Sequence, residues 1–80
     1  MKKLEKLNLG SNEISNINIL KNVNFKELKE LNLSFNNISN ISVLEKVRFE
    51  KFEKLDLSLN YIDKNNFSSV IQNLKFKIDI

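Results

Sequence analysis

The 80-residue chain contains no cysteine and no histidine, and these two absences exclude much of the chemistry a small protein can carry. Without cysteine there is no disulfide, no thiol nucleophile and no thiolate metal site. Without histidine the commonest general base is missing, and with both absent so are the familiar zinc-ligand sets. Proline is absent too, and glycine occurs once, at Gly10. A lone glycine builds no phosphate-cradling loop, so we assign Gly10 to relief of the turn after the first strand. No apolar run approaches the roughly 18 residues of a membrane span. Glu5, Lys6 and Asn8 interrupt what would be the apolar core of a signal peptide after Met1, Lys2 and Lys3. We therefore expect no membrane association and a cytoplasmic setting.

The net charge is +3, a small excess of mixed sign. Lys26, Glu27, Lys29 and Glu30 alternate, as do Glu50, Lys51, Glu53 and Lys54. Such alternation reads as a solvated face rather than a phosphate-binding patch, and we expect no nucleic-acid partner. A chain of this length forms one domain, 1–80, and buries only roughly 60% of the surface it exposes when unfolded. Stability then depends on an efficient architecture.

That architecture is visible as repetition. Leu4, Leu28 and Phe52 recur every 24 residues, as do Leu7, Leu31 and Leu55, and Leu9, Leu33 and Leu57. Asn12, Asn36, Asn60 and Ile14, Ile38, Ile62 keep the same step, followed by Ile17 with Ile41, Leu20 with Leu44, Val23 with Val47 and Phe25 with Phe49. In each unit an apolar, polar, apolar triplet such as Leu31-Asn32-Leu33 predicts a short half-buried strand. The apolar spacing then widens to three through Ile14, Ile17, Leu20 and Val23, which suits a helical turn. One coil cannot bury its apolar edge. Coils stacked at the strand spacing of roughly 4.8 Å align equivalent leucines into internal rows. The repeated Asn stands where the chain leaves the strand, and its amide can both donate to and accept from backbone groups otherwise unpaired there.

The segments LEKLNLGSNEI, LKELNLSFNNI and FEKLDLSLNYI resemble the leucine-rich-repeat pattern, in which two or three leucines precede a buried asparagine. The Ile-x-x-Ile-x-x-Leu run that follows is similar to the subclass found in bacterial internalins and in regulators of type-1 protein phosphatase. The units here are longer than that subclass by two residues, inserted around Asn24 and Phe25. The resemblance implies an α/β solenoid with short parallel strands on the concave face and helical turns on the convex face. It also implies recognition of a protein partner, without catalysis or cofactor.

We place the repeats at about 4–27, 28–51 and 52–74, with a truncated fourth strand within 75–80. Phe67, Val70, Ile71 and Leu74 fall on one side of a helix, with Asp63 or Asn65 to cap its start. Ile78-Asp79-Ile80 restores the strand signature. The main competitor is a helical bundle, because Leu4 with Leu7 and Leu28 with Leu31 also fit helical spacing. A further leucine only two residues on breaks that helical face in each unit.

On the concave face, Asn8, Asn32, Asp56 and Asp79 should form one outward row and Gly10, Ser34 and Ser58 the next, followed by Ser11, Phe35 and Leu59, then Glu13, Asn37 and Tyr61. Asp56 and Asp79 are the pair nearest to acid-base or cation chemistry. Lys54 and Lys77 stand beside them, and surface strands often carry such residues, so we read no metal site there. Asn32, Asn37, Asn40 and Asn66 each open an Asn-x-Ser triplet, which would be a glycosylation acceptor in a secreted protein; repetition in an Asn-rich chain explains them better. The candidate protein-binding residues are Phe35, Leu59 and Tyr61, an exposed apolar cluster with aromatic members, flanked by Asn32 and Asp56. The second reading is a structural or self-assembling segment of a larger regulatory protein. In it, uncovered edges at both ends of the stack form a homo-oligomer, with two like edges meeting about a two-fold axis.

Overall fold

Alternation of side chains across a pleated backbone requires that Leu7, Leu31 and Leu55 face inward while their neighbours on both sides face out. The strands form around these leucines: β1 (Lys6–Asn8), β2 (Glu30–Asn32), β3 (Lys54–Asp56) and a fourth, β4 (Lys77–Asp79). The computed structural model describes residues 4–22, 26–47, 50–63, 65 and 76–80. Among these the four strands make one parallel sheet in chain order β1-β2-β3-β4. Leu7 lies beside Leu31 and Leu31 beside Leu55, each 24 residues on. Ile78 lies beside Leu55 after a step of 23. The parallel sheet excludes the helical bundle.

After β1 and β2 the chain turns and enters a short 3₁₀ segment, Asn18–Asn22 in the first coil and Ser42–Lys46 in the second. The three-residue apolar spacing matches the three residues per turn of this helix, and the Leu20 and Leu44 N–H groups donate to the Ile17 and Ile41 carbonyls, each at 3.0 Å. Asparagines set the entry. The Asn16 Oδ1 accepts the Asn18 N–H at 2.9 Å, and the Asn40 Oδ1 accepts the Ser42 N–H at 2.9 Å and its hydroxyl at 2.8 Å. The Asn40 triplet is thus a local turn device.

Stacking places Leu28, Leu31, Leu33, Ile38, Leu44, Leu55 and Leu57 in one buried core. Phe52 meets Phe76 edge to face, with ring centroids 4.8 Å apart at 81°. The helix expected over Phe67 to Leu74, the insertion around Asn24 and Phe25, and the expected pairings of Val23 and Phe49 lie outside the described residues. At the edge of that segment the Asn65 N–H donates to the Asp63 Oδ1 at 3.0 Å.

Candidate functional site

Each strand begins one residue earlier than the Leu-x-Leu triplet suggests, so the sheet presents an outward row that the triplet misses: Lys6, Glu30, Lys54 and Lys77, in register. Extending the alternation back by one position would have revealed it. The expected row Asn8, Asn32, Asp56 and Asp79 lies alongside, also in register. Cross-strand charge pairs run both along the first row and between the two. Lys6 pairs with Glu30 at 3.1 Å, and Lys54 reaches diagonally to Asp79 at 3.7 Å. Between the first three strands is a shallow depression of about 260 Å³, rimmed by Lys6, Asn8, Glu30, Asn32, Lys54 and Asp56.

The second row is occupied by local hydrogen bonds. The Asn32 Oδ1 accepts the Ser34 N–H at 2.8 Å and its hydroxyl at 2.7 Å; the Asp56 Oδ1 accepts the Ser58 N–H at 3.0 Å and its hydroxyl at 2.6 Å. Burial of the Asp56 carboxylate raises its pKa, but the hydroxyl and N–H of Ser58, helped by the charge of Lys54, outweigh that and hold it below the ordinary carboxylate value. Asp56 and Asp79 are therefore adjacent as expected, but Ser58 holds one and Lys54 the other. Among the described residues no group of three acidic side chains is placed to hold a metal ion.

One expectation about the next row needs correction. Ser34 is buried rather than offered to solvent, whereas Ser58, which makes the same pair of bonds to Asp56, is half-buried. Gly10 does not supply a left-handed turn. The positive φ angles fall one residue later, at Ser11 (59°), Phe35 (56°) and Leu59 (58°). Gly10 instead provides room, since a Cβ there would stand 3.1 Å from the Asn8 Oδ1 and 3.2 Å from the Ser34 Oγ.

The left-handed residues lie between the strand and the asparagine ladder. The Asn36 Nδ2 donates to the carbonyls of Leu33 (3.0 Å) and Ser34 (3.1 Å) in its own coil and of Leu9 (3.1 Å) in the coil before, while its Oδ1 accepts the Ile14 N–H at 3.0 Å. Asn60 repeats the pattern against Leu57, Ser58, Leu33 and Ile38. To aim this amide inward, the residue before it takes the left-handed conformation, which costs a bulky L-residue roughly 1–2 kcal/mol. Phe35 and Leu59 hold that conformation at equivalent positions of adjacent coils and are 57% and 62% exposed. Tyr61, two residues beyond Leu59, is 73% exposed, and its N–H donates to the Ile38 carbonyl at 2.9 Å. Nothing in the residue types Ser, Phe and Leu announces a positive φ; the repeated asparagine after them was the available signal.

Parallel strands stacked in chain order, with 3₁₀ turns between them and an internal asparagine ladder, define a solenoid repeat protein. Residues 2–46 match the family model described as Leucine Rich repeats (2 copies), and the chain belongs to the leucine-rich-repeat family. No curated protein and no solved structure matches the chain significantly. Domains of this family are commonly protein-interaction modules and generally not enzymes. Among the described residues no helix is long and apolar enough to cross a membrane.

Proposed function

We propose that this chain, as one domain with repeats at about 4–27, 28–51 and 52–74, binds a protein partner through its concave strands and the residues that follow them. Phe35, Leu59 and Tyr61 act as apolar anchors, with Asn32 and Asp56 on the flanking row, and no cofactor takes part. The supporting observation is the pair Phe35 and Leu59. Two large apolar side chains stand more than half exposed on neighbouring coils, each in a backbone conformation that disfavours a bulky residue. Strain of this kind concentrates at binding surfaces, where it holds side chains ready for contact. Once a partner is isolated from the native source, Phe35→Glu and Tyr61→Glu should each weaken binding by about 2 kcal/mol or more. Lys21→Glu and Lys46→Glu, in the last turns of the 3₁₀ segments, which we assign to the convex side, should change it little. Equal affinity across the four variants would move the contact surface elsewhere.

The second reading, a self-assembling repeat segment of a larger regulatory protein, draws on the edge of β1. Leu4 there is 56% exposed, although its equivalent Leu28 is 3% exposed. An uncovered strand edge is a template for pairing, and a second copy could use it about a two-fold axis.

A further inference from the structure

Charge is spread unevenly around the apolar anchors. The segments that leave the strands, 9–15, 33–39 and 57–63, contain Glu13 and Asp63 but no lysine or arginine, although the chain as a whole carries a net charge of +3. Both acids are exposed. Among the described residues neither makes an ion pair, and the Asp63 Oδ1 accepts the Asn65 N–H at 3.0 Å while its second oxygen stays open. On the strand rows, by contrast, Lys6 and Lys54 already have acidic partners, Glu30 at 3.1 Å and Asp79 at 3.7 Å. The carboxylates with charge to offer a partner are therefore those beside the anchors.

The two acids bracket those anchors along the stack. The Asn37 N–H donates to the Ile14 carbonyl and the Tyr61 N–H to the Ile38 carbonyl, each at 2.9 Å, so the three segments lie side by side in chain order. Glu13 stands on the first, Phe35 on the second, and Leu59, Tyr61 and Asp63 on the third. Neighbouring segments are spaced as strands are, roughly 4.8 Å apart, which puts the outer two roughly 10 Å apart. A partner segment crossing them must repeat its side chains at these steps. Along a strand the side chains of one face recur at roughly 6.6 Å, too long for the shorter step. On a helix, residues three or four apart stand roughly 5–6 Å from each other, and residues seven apart are separated by a rise of roughly 10.5 Å. A helix matches both.

We propose, resting on the concave-face reading, that the segment received here is an amphipathic helix of a protein partner, lying along the stack. It carries Lys or Arg at positions i and i+7, toward Glu13 and Asp63, and large apolar residues at i+3 and i+4, against Phe35, Leu59 and Tyr61. The apolar pair supplies the contact area. The flanking cations supply selection: each exposed ion pair is weak alone, but a helix flanked by acids would replace two attractions with two repulsions.

The probe is an alanine-rich helical peptide of roughly 20 residues, long enough to hold a helix in water, with Lys-Ala-Ala-Leu-Leu-Ala-Ala-Lys at its centre. Its binding to the full chain is followed by fluorescence anisotropy at low salt. Affinity should fall about tenfold when both lysines are replaced by glutamate and about tenfold when both leucines are replaced by alanine. A proline in place of a central alanine, which breaks the helix, should abolish binding. On the protein, Glu13→Gln and Asp63→Asn should each weaken the lysine peptide about threefold, and less in 1 M salt, where the screening length is about 3 Å. Phe35→Asn, which removes the ring and leaves a residue that tolerates left-handed backbone, should weaken it about fivefold. A lysine peptide that does not bind overturns the proposal, and undiminished binding of the proline peptide overturns the helix. Equal binding of lysine and glutamate peptides overturns the charge selection; if Phe35→Asn still weakens both, the anchors stand without it. A lysine peptide indifferent to Phe35→Asn overturns the placement on the anchors, while the effect of Phe35→Glu on the native partner judges the concave-face reading separately.

Discussion

Leu28, Leu31, Leu33 and Ile38 in the second coil are buried, whereas Leu7, Leu9 and Ile14 at the same positions of the first coil are half-buried and Leu4 is exposed. The residue types are the same or nearly so, and the backbones repeat each other in register. Only the neighbours differ: the second coil has one on each side, the first on one side only. A leucine in this fold does not belong to a core by virtue of its own coil. It becomes core when the next coil removes its second flank from water, at about 25 cal/mol per Å² of apolar surface. The asparagines show the same dependence in polar form, because Asn36 has partners in two coils and Asn12 in one.

The largest expected effect tests the apolar half of this comparison. Leu31→Ala should cost about 3 kcal/mol, within the usual range for a fully buried leucine, whereas Leu7→Ala should cost about 1 kcal/mol, since solvent already reaches its outer side. Urea unfolding midpoints for the two variants measure the difference. Equal losses would mean that the first coil is as well covered as the second.

The polar half predicts a somewhat smaller effect. Asn36→Ala removes the donor to three carbonyls and the acceptor for the Ile14 N–H. Leaving such groups unsatisfied in a buried site should cost about 2 kcal/mol. Asn12→Ala removes bonds at an exposed turn and should cost about 0.5 kcal/mol, because water replaces the amide. If Asn12→Ala proved as damaging as Asn36→Ala, the ladder would owe its stability to the turn alone and not to contact between coils.

Much of this comparison was legible in the sequence, since a period of 24 held by Leu, Asn and Ile without a gap sets which residue lies beside which. Leu7 had to meet Leu31, and Asn8 had to meet Asn32, once the units were stacked. The site was less legible. The row led by Lys6 was hidden because the Leu-x-Leu triplet marks only part of the alternation. Ser34 stands at an outward position of the alternation, and its burial comes from the stacked coils rather than from its residue type or its hydrogen bonds, since Ser58 makes the same two bonds and is half-buried. The left-handed backbone at Phe35 and Leu59 is imposed by the amide that follows them, against the preference of their own side chains.

The smallest expected effect compares a carboxylate with an amide at the same place in the sheet. Asp56 and Asn32 occupy equivalent positions, and each accepts the N–H and hydroxyl of the serine two residues on. Asn32 does not titrate and Asp56 does. Burial pushes the Asp56 pKa up, yet the Ser58 hydrogen bonds and Lys54 bring it below its unfolded value. Near that pKa the folded chain binds fewer protons at Asp56 than the unfolded chain, so stability from this group rises with pH. The contribution is complete above the ordinary aspartate value of about 3.9 and disappears as pH falls through the lower folded value. Asp56→Asn should keep both serine bonds, as Asn32 does, and lose only the part that depends on charge. The stability difference between the parent chain and Asp56→Asn should therefore be constant from pH 7 to about pH 5. Below that it should move in favour of the variant, with the other carboxylates cancelling between the two proteins. Urea midpoints at pH 7, 5, 4 and 3 measure it; a difference that does not change with pH would show that the Ser58 bonds and Lys54 give the ionised form of Asp56 no advantage over an amide.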